Sequence, residues 1–161
     1  MFYEQIETGK IYKSITTKPI TGTEIDIFAQ MSGMDLPGVL DAEFARGWGF
    51  KDRVTPGVYL IGAMMGLMAK QGFLADAVWT GATDITFKTP VIPGDRLSAE
   101  VEPFNKKDSK RGGGLITYNW RIKNQECLRN SLMQRNNGIS RRCSQGLNYR
   151  ILSSGWKLEI N

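Results

Sequence analysis

The stretch SGMDLPGVLDAEFA, residues 32–45, concentrates side chains that could take part in acid–base chemistry. It carries three carboxylates, Asp35, Asp41 and Glu43, among proline and glycine residues that are typical of a tight loop. A carboxylate acts as a general acid or base when a second group with a matched pKa lies beside it. The chain has no histidine, the side chain that ordinarily titrates near neutral pH. The loop therefore has the form of an active-site loop without its usual base.

The two cysteines, Cys127 and Cys143, do not form a metal-binding motif. They do not have CxxC spacing, and a chain without histidine cannot build a Cys/His zinc site. We predict two free thiols in a reducing compartment, and neither a metal nor a cofactor. Because no apolar N-terminal run follows a basic stretch, we expect a cytoplasmic protein.

The net charge of +5 is confined to the C-terminal region. Residues 1–126 carry 15 basic and 15 acidic side chains, whereas residues 127–161 carry six basic side chains and one acidic side chain. A nucleic-acid-binding domain places its basic residues on a folded face, so we expect no specific nucleic-acid partner. The longest apolar run, residues 58–69, is too short to span a bilayer, and we expect no membrane partner. The composition predicts one domain over residues 1–126 and a basic tail over residues 127–161, either disordered or an added surface arm.

Two helical patterns flank the loop, and a third follows it. Thr21 and Glu24 fit a capping box at the start of the first helix. Residues 41–46 predict a further helical turn with Phe44 facing inward. Residues 56–72, PGVYLIGAMMGLMAKQG, predict a helix that is apolar almost all round and therefore buried on all sides.

Alternating apolar and polar residues after that helix predict strands. The alternation covers residues 85–88, 97–101 and 116–123, and the sequence Ile92-Pro-Gly-Asp95 predicts a turn between the first two. An antiparallel sheet wrapped around the buried helix would bury the apolar surfaces of the strands and of the helix against each other.

The sequence resembles the MaoC-like dehydratases, a family that includes (R)-specific enoyl-CoA hydratases. Four pieces carry the resemblance and together span most of residues 5–123: FAQMSG (28–33), PGVLDAEFA (37–45), RVTPGVYLIGAMMGL (53–67) and FKTPVIPGDRL (87–97). The resemblance implies an α+β hotdog fold, in which an antiparallel sheet wraps around a central buried helix. It also implies an acyl-CoA thioester as the ligand.

In that family, the loop after the first helix carries an Asp and a His that hold the water added to an enoyl-CoA. With the loop aligned on Ser32-Gly33, Pro37 and Asp41, these two dyad positions fall on Met34 and Val39. The resemblance thus implies two substrate-lining positions without acid–base groups. Asp35, one position from the expected carboxylate, is the candidate replacement; the alternative is a turn residue whose side chain bonds the backbone.

The resemblance further implies that the amide of Gly57 binds the thioester carbonyl. The N-terminus of a helix favours negative charge in any case, which supports this role, while a plain helix entry is the alternative. Met64, Met65 and Met68 either line an acyl tunnel or pack in the core.

Three functions remain open from the sequence. The first is a weak or altered hydratase or related hydro-lyase that uses Asp35. The second is a thioesterase, which needs one carboxylate and a helix-start amide. The third is a catalytically inactive binding or partner subunit. For each we expect a homodimer or higher homo-oligomer, because a single sheet of this kind exposes an edge strand.

Overall fold

The computed structural model describes residues 1–73, 77–110, 113–126 and 145–153. A short 3-10 helix over Tyr3–Gln5 comes first. The helices are α1 (Gly22–Ser32), α2 (Pro37–Leu40), α3 (Ala42–Gly47) and α4 (Gly57–Ala69). The strands are β1 (Tyr12–Lys13), β2 (Lys18–Pro19), β3 (Ala77–Thr86), β4 (Arg96–Asp108), β5 (Gly114–Lys123) and β6 (Gln145–Ser153).

Helix α1 begins with the predicted capping box. The Thr21 hydroxyl accepts a hydrogen bond from the Glu24 N–H at 3.2 Å, and the Glu24 carboxylate accepts one from the Thr21 N–H at 3.1 Å. These two bonds satisfy backbone donors that a helix start leaves unpaired. The prediction for this helix start is confirmed.

The described strands form one antiparallel sheet in the order β1-β4-β5-β6-β3, and β2 pairs with the beginning of β4. Strands β4 and β5 pair over most of their length, with Val101 opposite Trp120. The predicted alternation is confirmed, because the apolar side chains of one face are buried: Leu97, Ala99, Val101, Ile116, Tyr118, Trp120 and Ile122.

Helix α4 supplies the other half of the core. Leu60, Leu67 and the fully buried Met64 and Met68 belong to the same apolar cluster as the inner face of the sheet. The α+β architecture with a sheet around a central helix is therefore confirmed. Helix α4 has 13 residues and spans about 20 Å. Within the described part of the chain, no helix is both long and apolar enough to cross a membrane.

One side of α4 is nevertheless open to solvent. Val58, Gly62, Gly66 and Ala69, spaced along one face of the helix, are exposed. The prediction of a helix buried on all sides is wrong, because the sheet of a single chain covers only part of its circumference. The open side consists of small residues and a single valine.

The prediction that Phe44 faces inward is wrong, and the strand predicted over residues 85–88 ends at Thr86. Ile85, near the end of β3, and Phe87, just after it, are both exposed. Phe44 is also exposed and packs edge-to-face on Trp48, with ring centroids 4.8 Å apart. The two rings pack against each other on the surface of α3 and do not belong to the core.

Strand β6 differs from what the sequence analysis predicts for the C-terminal region. Residues Gln145–Ser153 lie between β5 and β3, with Tyr118 opposite Tyr149 and Ala82 opposite Tyr149 on the other side. This part of the expected tail therefore belongs to the sheet. The remainder of the expected tail, residues 127–144 and 154–161, lies outside the described residues.

Candidate active site

The loop that the resemblance identifies as functional has a well-defined backbone frame. Gly33 ends α1 with a φ of 67°, a left-handed conformation that favours glycine. The N–H groups of Gly33 and Met34 both donate to the carbonyl of Ala29. Pro37 then occupies the first position of α2, where its missing N–H costs nothing. Met34 and Val39 are thereby held on a fixed turn.

This loop is joined directly to the segment that leads into α4. The carbonyl of Gly38 accepts a hydrogen bond from the N–H of Val54 at 2.9 Å. The neighbouring Arg53 pairs with Asp26 on α1, so its guanidinium also ties this segment to the first helix. Residues 53–57 therefore lie against both α1 and α2, and the start of α4 is fixed relative to the loop.

The N-terminus of α4 provides backbone donors that have no acceptor among the described residues. The first hydrogen bond within the helix runs from the Leu60 N–H to the Pro56 carbonyl at 3.3 Å. The N–H groups of Gly57, Val58 and Tyr59 precede it and have no acceptor within the helix. Together with the helix dipole, they favour a partial negative charge at this end.

A side chain at position 57 would collide with the Phe87 ring as it stands. A Cβ atom on Gly57 would lie 2.4 Å from Cε2 of the Phe87 ring, far inside van der Waals contact. Gly57 itself is half-buried, whereas Phe87 is 44% exposed. The ring thus forms one wall beside the Gly57 amide while its other side remains open.

An open groove of about 410 Å³ runs along the exposed side of α4. A Cβ atom added at Gly62 or Gly66 would meet no atom within 4 Å, so these two glycines leave room in it. Two lysines contribute the charged part of an otherwise mainly apolar lining: Lys18, Phe28, Val58, Tyr59, Gly62, Ala63, Gly66, Leu67 and Lys70. An apolar chain attached to a negatively charged group suits such a groove.

Lys18 is held in the groove wall by its neighbours. Its ammonium pairs with Glu24 and lies 5.9 Å from the centroid of the Tyr59 ring. Burial raises the pKa of the Tyr59 hydroxyl, and the Lys18 charge only partly opposes this. Burial alone would raise the pKa of Glu24, but hydrogen bonds from Lys18 and Thr21 hold that pKa below its usual value. At neutral pH the pair is therefore ionised, and the Tyr59 hydroxyl is neutral.

The sequence profile of the MaoC like domain matches residues 4–123 of this chain. The chain belongs to the MaoC-like dehydratase family. It is 29% identical over 117 residues to the (R)-specific enoyl-CoA hydratase of Aeromonas caviae, a match that covers 73% of this chain and 85% of the hydratase.

Solved structures of MaoC-like proteins share the fold. The structure of a monoamine oxidase regulatory protein from Archaeoglobus matches with a TM-score of 0.74 at 24% identity, covering 95% of this chain and 94% of that one. An (R)-hydratase from Pseudomonas aeruginosa matches with a TM-score of 0.70 at 23% identity, covering 99% and 89%. The predicted hotdog fold is confirmed.

The predicted site residues of the loop fall into two groups according to their burial. Val39, only 6% exposed, belongs to the core, and Met34 is half-buried. Both lie on the turn that the Gly38–Val54 hydrogen bond joins to the segment leading into Gly57. Asp35 is exposed, and its carboxylate has no hydrogen bond or ion pair with any other described residue. The predicted backbone-bonding turn role of Asp35 is therefore not seen.

The methionines of α4 belong to the core and not to the groove. Met64 and Met68 are fully buried, and the half-buried Met65 packs against the same cluster. The core-packing interpretation is confirmed for all three. Within the described ranges, no group of three or more His, Cys, Asp or Glu side chains could hold a metal ion.

Two residues with positions near Gly57 were missed by the sequence analysis as site residues. Phe87 lies in a family motif, but nothing in its spacing indicates that its ring contacts Gly57. Thr55 is 3% exposed, and its hydroxyl oxygen has no hydrogen-bond partner among the described residues. No local pattern predicts an unpaired buried hydroxyl, because the lack of a partner depends on tertiary packing.

Proposed function

We propose that this MaoC-like protein binds an acyl-CoA-type thioester at the start of α4 and does so without the family's usual acid–base pair. The observation that carries the proposal is the set of N–H groups at Gly57, Val58 and Tyr59, for which the described residues provide no acceptor, at the start of a helix that has an apolar groove along its side. A thioester carbonyl oxygen is the kind of group that such donors stabilise. The groove would receive the acyl chain.

The loop side of the site supports binding without efficient hydration. Our alignment puts Met34 and Val39 at the dyad positions, and neither side chain can transfer a proton. A positioned general acid or base each contributes roughly 10² to 10⁴ in rate. Loss of both would leave a protein that resembles an enoyl-CoA hydratase in fold but turns over slowly or not at all. Such a protein would serve as a binding or partner subunit.

Crotonyl-CoA and butyryl-CoA distinguish this proposal from the two enzymatic alternatives. We expect both thioesters to bind in calorimetric titrations, the double-bond absorbance of crotonyl-CoA to persist, and no free thiol to appear.

Each alternative gives a different result in the same assay. Loss of double-bond absorbance that Asp35→Asn abolishes would identify a hydratase with Asp35 as its acid–base group. Release of free thiol from butyryl-CoA would identify a thioesterase. If the protein binds neither thioester, the proposed function is wrong.

We also propose that two copies associate through the open side of α4 and the edge strand β3. Val58 on the helix and Val78 and Ile85 on the strand are exposed apolar side chains. Among the described residues, β3 pairs with β6 alone, so its other edge is available. Register shifts interrupt β3, and Asp84 within it has a φ of 55°. The helix face would therefore supply much of the contact, and the partner would close the groove.

Light scattering at micromolar concentration tests this association. We expect a dimer or higher oligomer for the parent and a shift toward monomer for Val78→Lys. Ile15→Lys places the same charge at an apolar residue outside the proposed interface, which is 77% exposed, and should leave the oligomer intact. A monomeric parent would contradict the proposal. If the protein assembles only after a second MaoC-like subunit is added, it forms a hetero-oligomer and the proposed association of two identical copies is wrong.

A further inference from the structure

The hydroxyl of Thr55 is a buried polar group whose hydrogen-bonding capacity is unused. The residue is 3% exposed, its oxygen is closed to solvent, and no described residue donates to it or accepts from it. The Thr55 N–H, by contrast, donates to the Val91 carbonyl at 2.8 Å and holds the backbone in place. An unpaired buried hydroxyl destabilises a fold, and a valine of the same shape would avoid that cost.

Thr55 lies where the two halves of the candidate site meet. The residue before it, Val54, bonds to Gly38 on α2, next to the dyad position Val39. The residue two positions after it is Gly57, whose N–H begins α4. The unused hydroxyl therefore belongs to the short segment that connects the loop to the helix-start donors.

We propose that the Thr55 hydroxyl is a second donor for the thioester carbonyl, acting beside the Gly57 N–H. This inference rests on the proposed binding of an acyl thioester. A carbonyl oxygen has two lone pairs and accepts two hydrogen bonds, and two donors in an enclosed site hold it more strongly than one. The half-exposed Phe87 ring over Gly57 is a side chain whose movement would open this end of the helix to the ligand.

Thr55→Val tests the donor, because it removes the hydroxyl and keeps the shape of the side chain. We expect it to weaken butyryl-CoA binding about three- to tenfold, the effect of one neutral hydrogen bond. We also expect it to raise the melting temperature by about 2 to 4 °C, because an unpaired buried hydroxyl is lost. Thr55→Ser, which retains the hydroxyl, should bind butyryl-CoA like the parent.

Two controls make the result specific to the carbonyl. The thioether S-butyl-CoA has the same chain without the carbonyl oxygen, so Thr55→Val should leave its affinity unchanged. Tyr118→Phe removes another buried hydroxyl for which no described residue is a partner, one that lies in the core against Phe73. This variant should not change the affinity for either ligand.

The outcomes separate this inference from the proposed function. If the parent binds butyryl-CoA and Thr55→Val binds it equally well, the hydroxyl has no role in the site and the inference is wrong. If Thr55→Val is less stable than the parent and Thr55→Ser restores stability, the hydroxyl serves the fold through an internal water, which also overturns the inference. If the parent binds no thioester, both proposals fail together.

Discussion

The two sides of the candidate site differ in what they offer a ligand. The turn that carries Met34 and Val39 keeps its backbone frame, set by Gly33 and Pro37, yet presents apolar side chains. The start of α4 presents backbone donors, and it has a glycine at position 57, where a Cβ atom would collide with the Phe87 ring. Acid–base chemistry depends on two side chains and can be lost by two substitutions. A helix start persists as long as the helix does.

Under the proposed assignment of Met34 and Val39 to the dyad positions, binding and chemistry would be separable in this protein. The donors at α4 arise from the backbone and are fixed by packing, so they remain when the dyad positions change.

The largest effect should come from restoring the missing groups. Met34→Asp combined with Val39→His should raise hydration of crotonyl-CoA by roughly four orders of magnitude, since each group contributes roughly 10² to 10⁴. Each single variant should do much less. The rate of loss of double-bond absorbance measures the gain.

Val39 lies in the core, so His at this position will also cost stability. The rates therefore apply only to protein whose circular dichroism spectrum matches that of the parent. Leu36→Asp with Leu40→His introduces the same groups at exposed positions of the same loop and should have no effect. A folded Met34/Val39 double variant that binds crotonyl-CoA without hydrating it would disprove the alignment.

The second effect concerns the helix side. Gly57→Ala should weaken butyryl-CoA binding by at least about tenfold, because the added methyl collides with the Phe87 ring and occupies the space beside the amide. Calorimetric titration measures the loss. In a Phe87→Ala background the collision disappears. If Gly57→Ala then binds normally, the glycine serves only the ring and not the ligand.

A third, smaller effect separates the acyl chain from the thioester. Gly62→Leu should fill part of the groove and weaken octanoyl-CoA binding about five- to tenfold, through lost burial of one or two methylene groups. Acetyl-CoA, which has almost no chain, should be unaffected. Gly47→Leu makes the same substitution at an exposed glycine of α3, outside the groove lining, and should change neither affinity. If Gly62→Leu weakens the binding of octanoyl-CoA and acetyl-CoA equally, the groove does not bind the acyl chain alone.

The smallest effect is a pH dependence at Glu24. Its pKa is lowered in the folded protein, so its ionisation stabilises the fold above the unfolded pKa, and this contribution is lost as the pH falls through the folded pKa. Glu24→Gln should be less stable than the parent at pH 7 by less than about 1 kcal/mol, since the pair is partly exposed. Urea unfolding should find the gap closing towards pH 3. The exposed Glu7→Gln is the matched control, and a gap that widens in acid would refute the assignment.

The sequence predicted the parts of this protein that depend on local patterns. The capping box at Thr21 and Glu24 and the alternation along β4 and β5 are properties of neighbouring residues, and the structure confirms them. The family motifs likewise identified the fold. These predictions succeed because helix capping and one-sided burial each require particular residue types at fixed spacing, which can be identified in the sequence.

The errors concern burial that depends on distant parts of the chain. Phe44 and Phe87 are apolar residues in favourable patterns, yet both are exposed, because no element of the described chain covers them. Strand β6 contains an alternation of Leu147, Tyr149 and Ile151 that could have indicated it, but the alternation is short and the surrounding composition is polar. The unpaired hydroxyl of Thr55 has no trace in the sequence at all.

The position of β6 has a consequence for how the protein is made. β3 follows α4 in the chain, but among the described residues it pairs only with β6. Thr86 therefore has its pairing partner, Gly146, 60 residues later in the sequence. Phe87, the wall beside Gly57, follows β3 directly. Pairing of strands so distant in sequence is slow, because the intervening chain must be ordered before the contact forms. During synthesis, the amide end of α4 therefore gains its aromatic wall only after the ribosome has delivered β6.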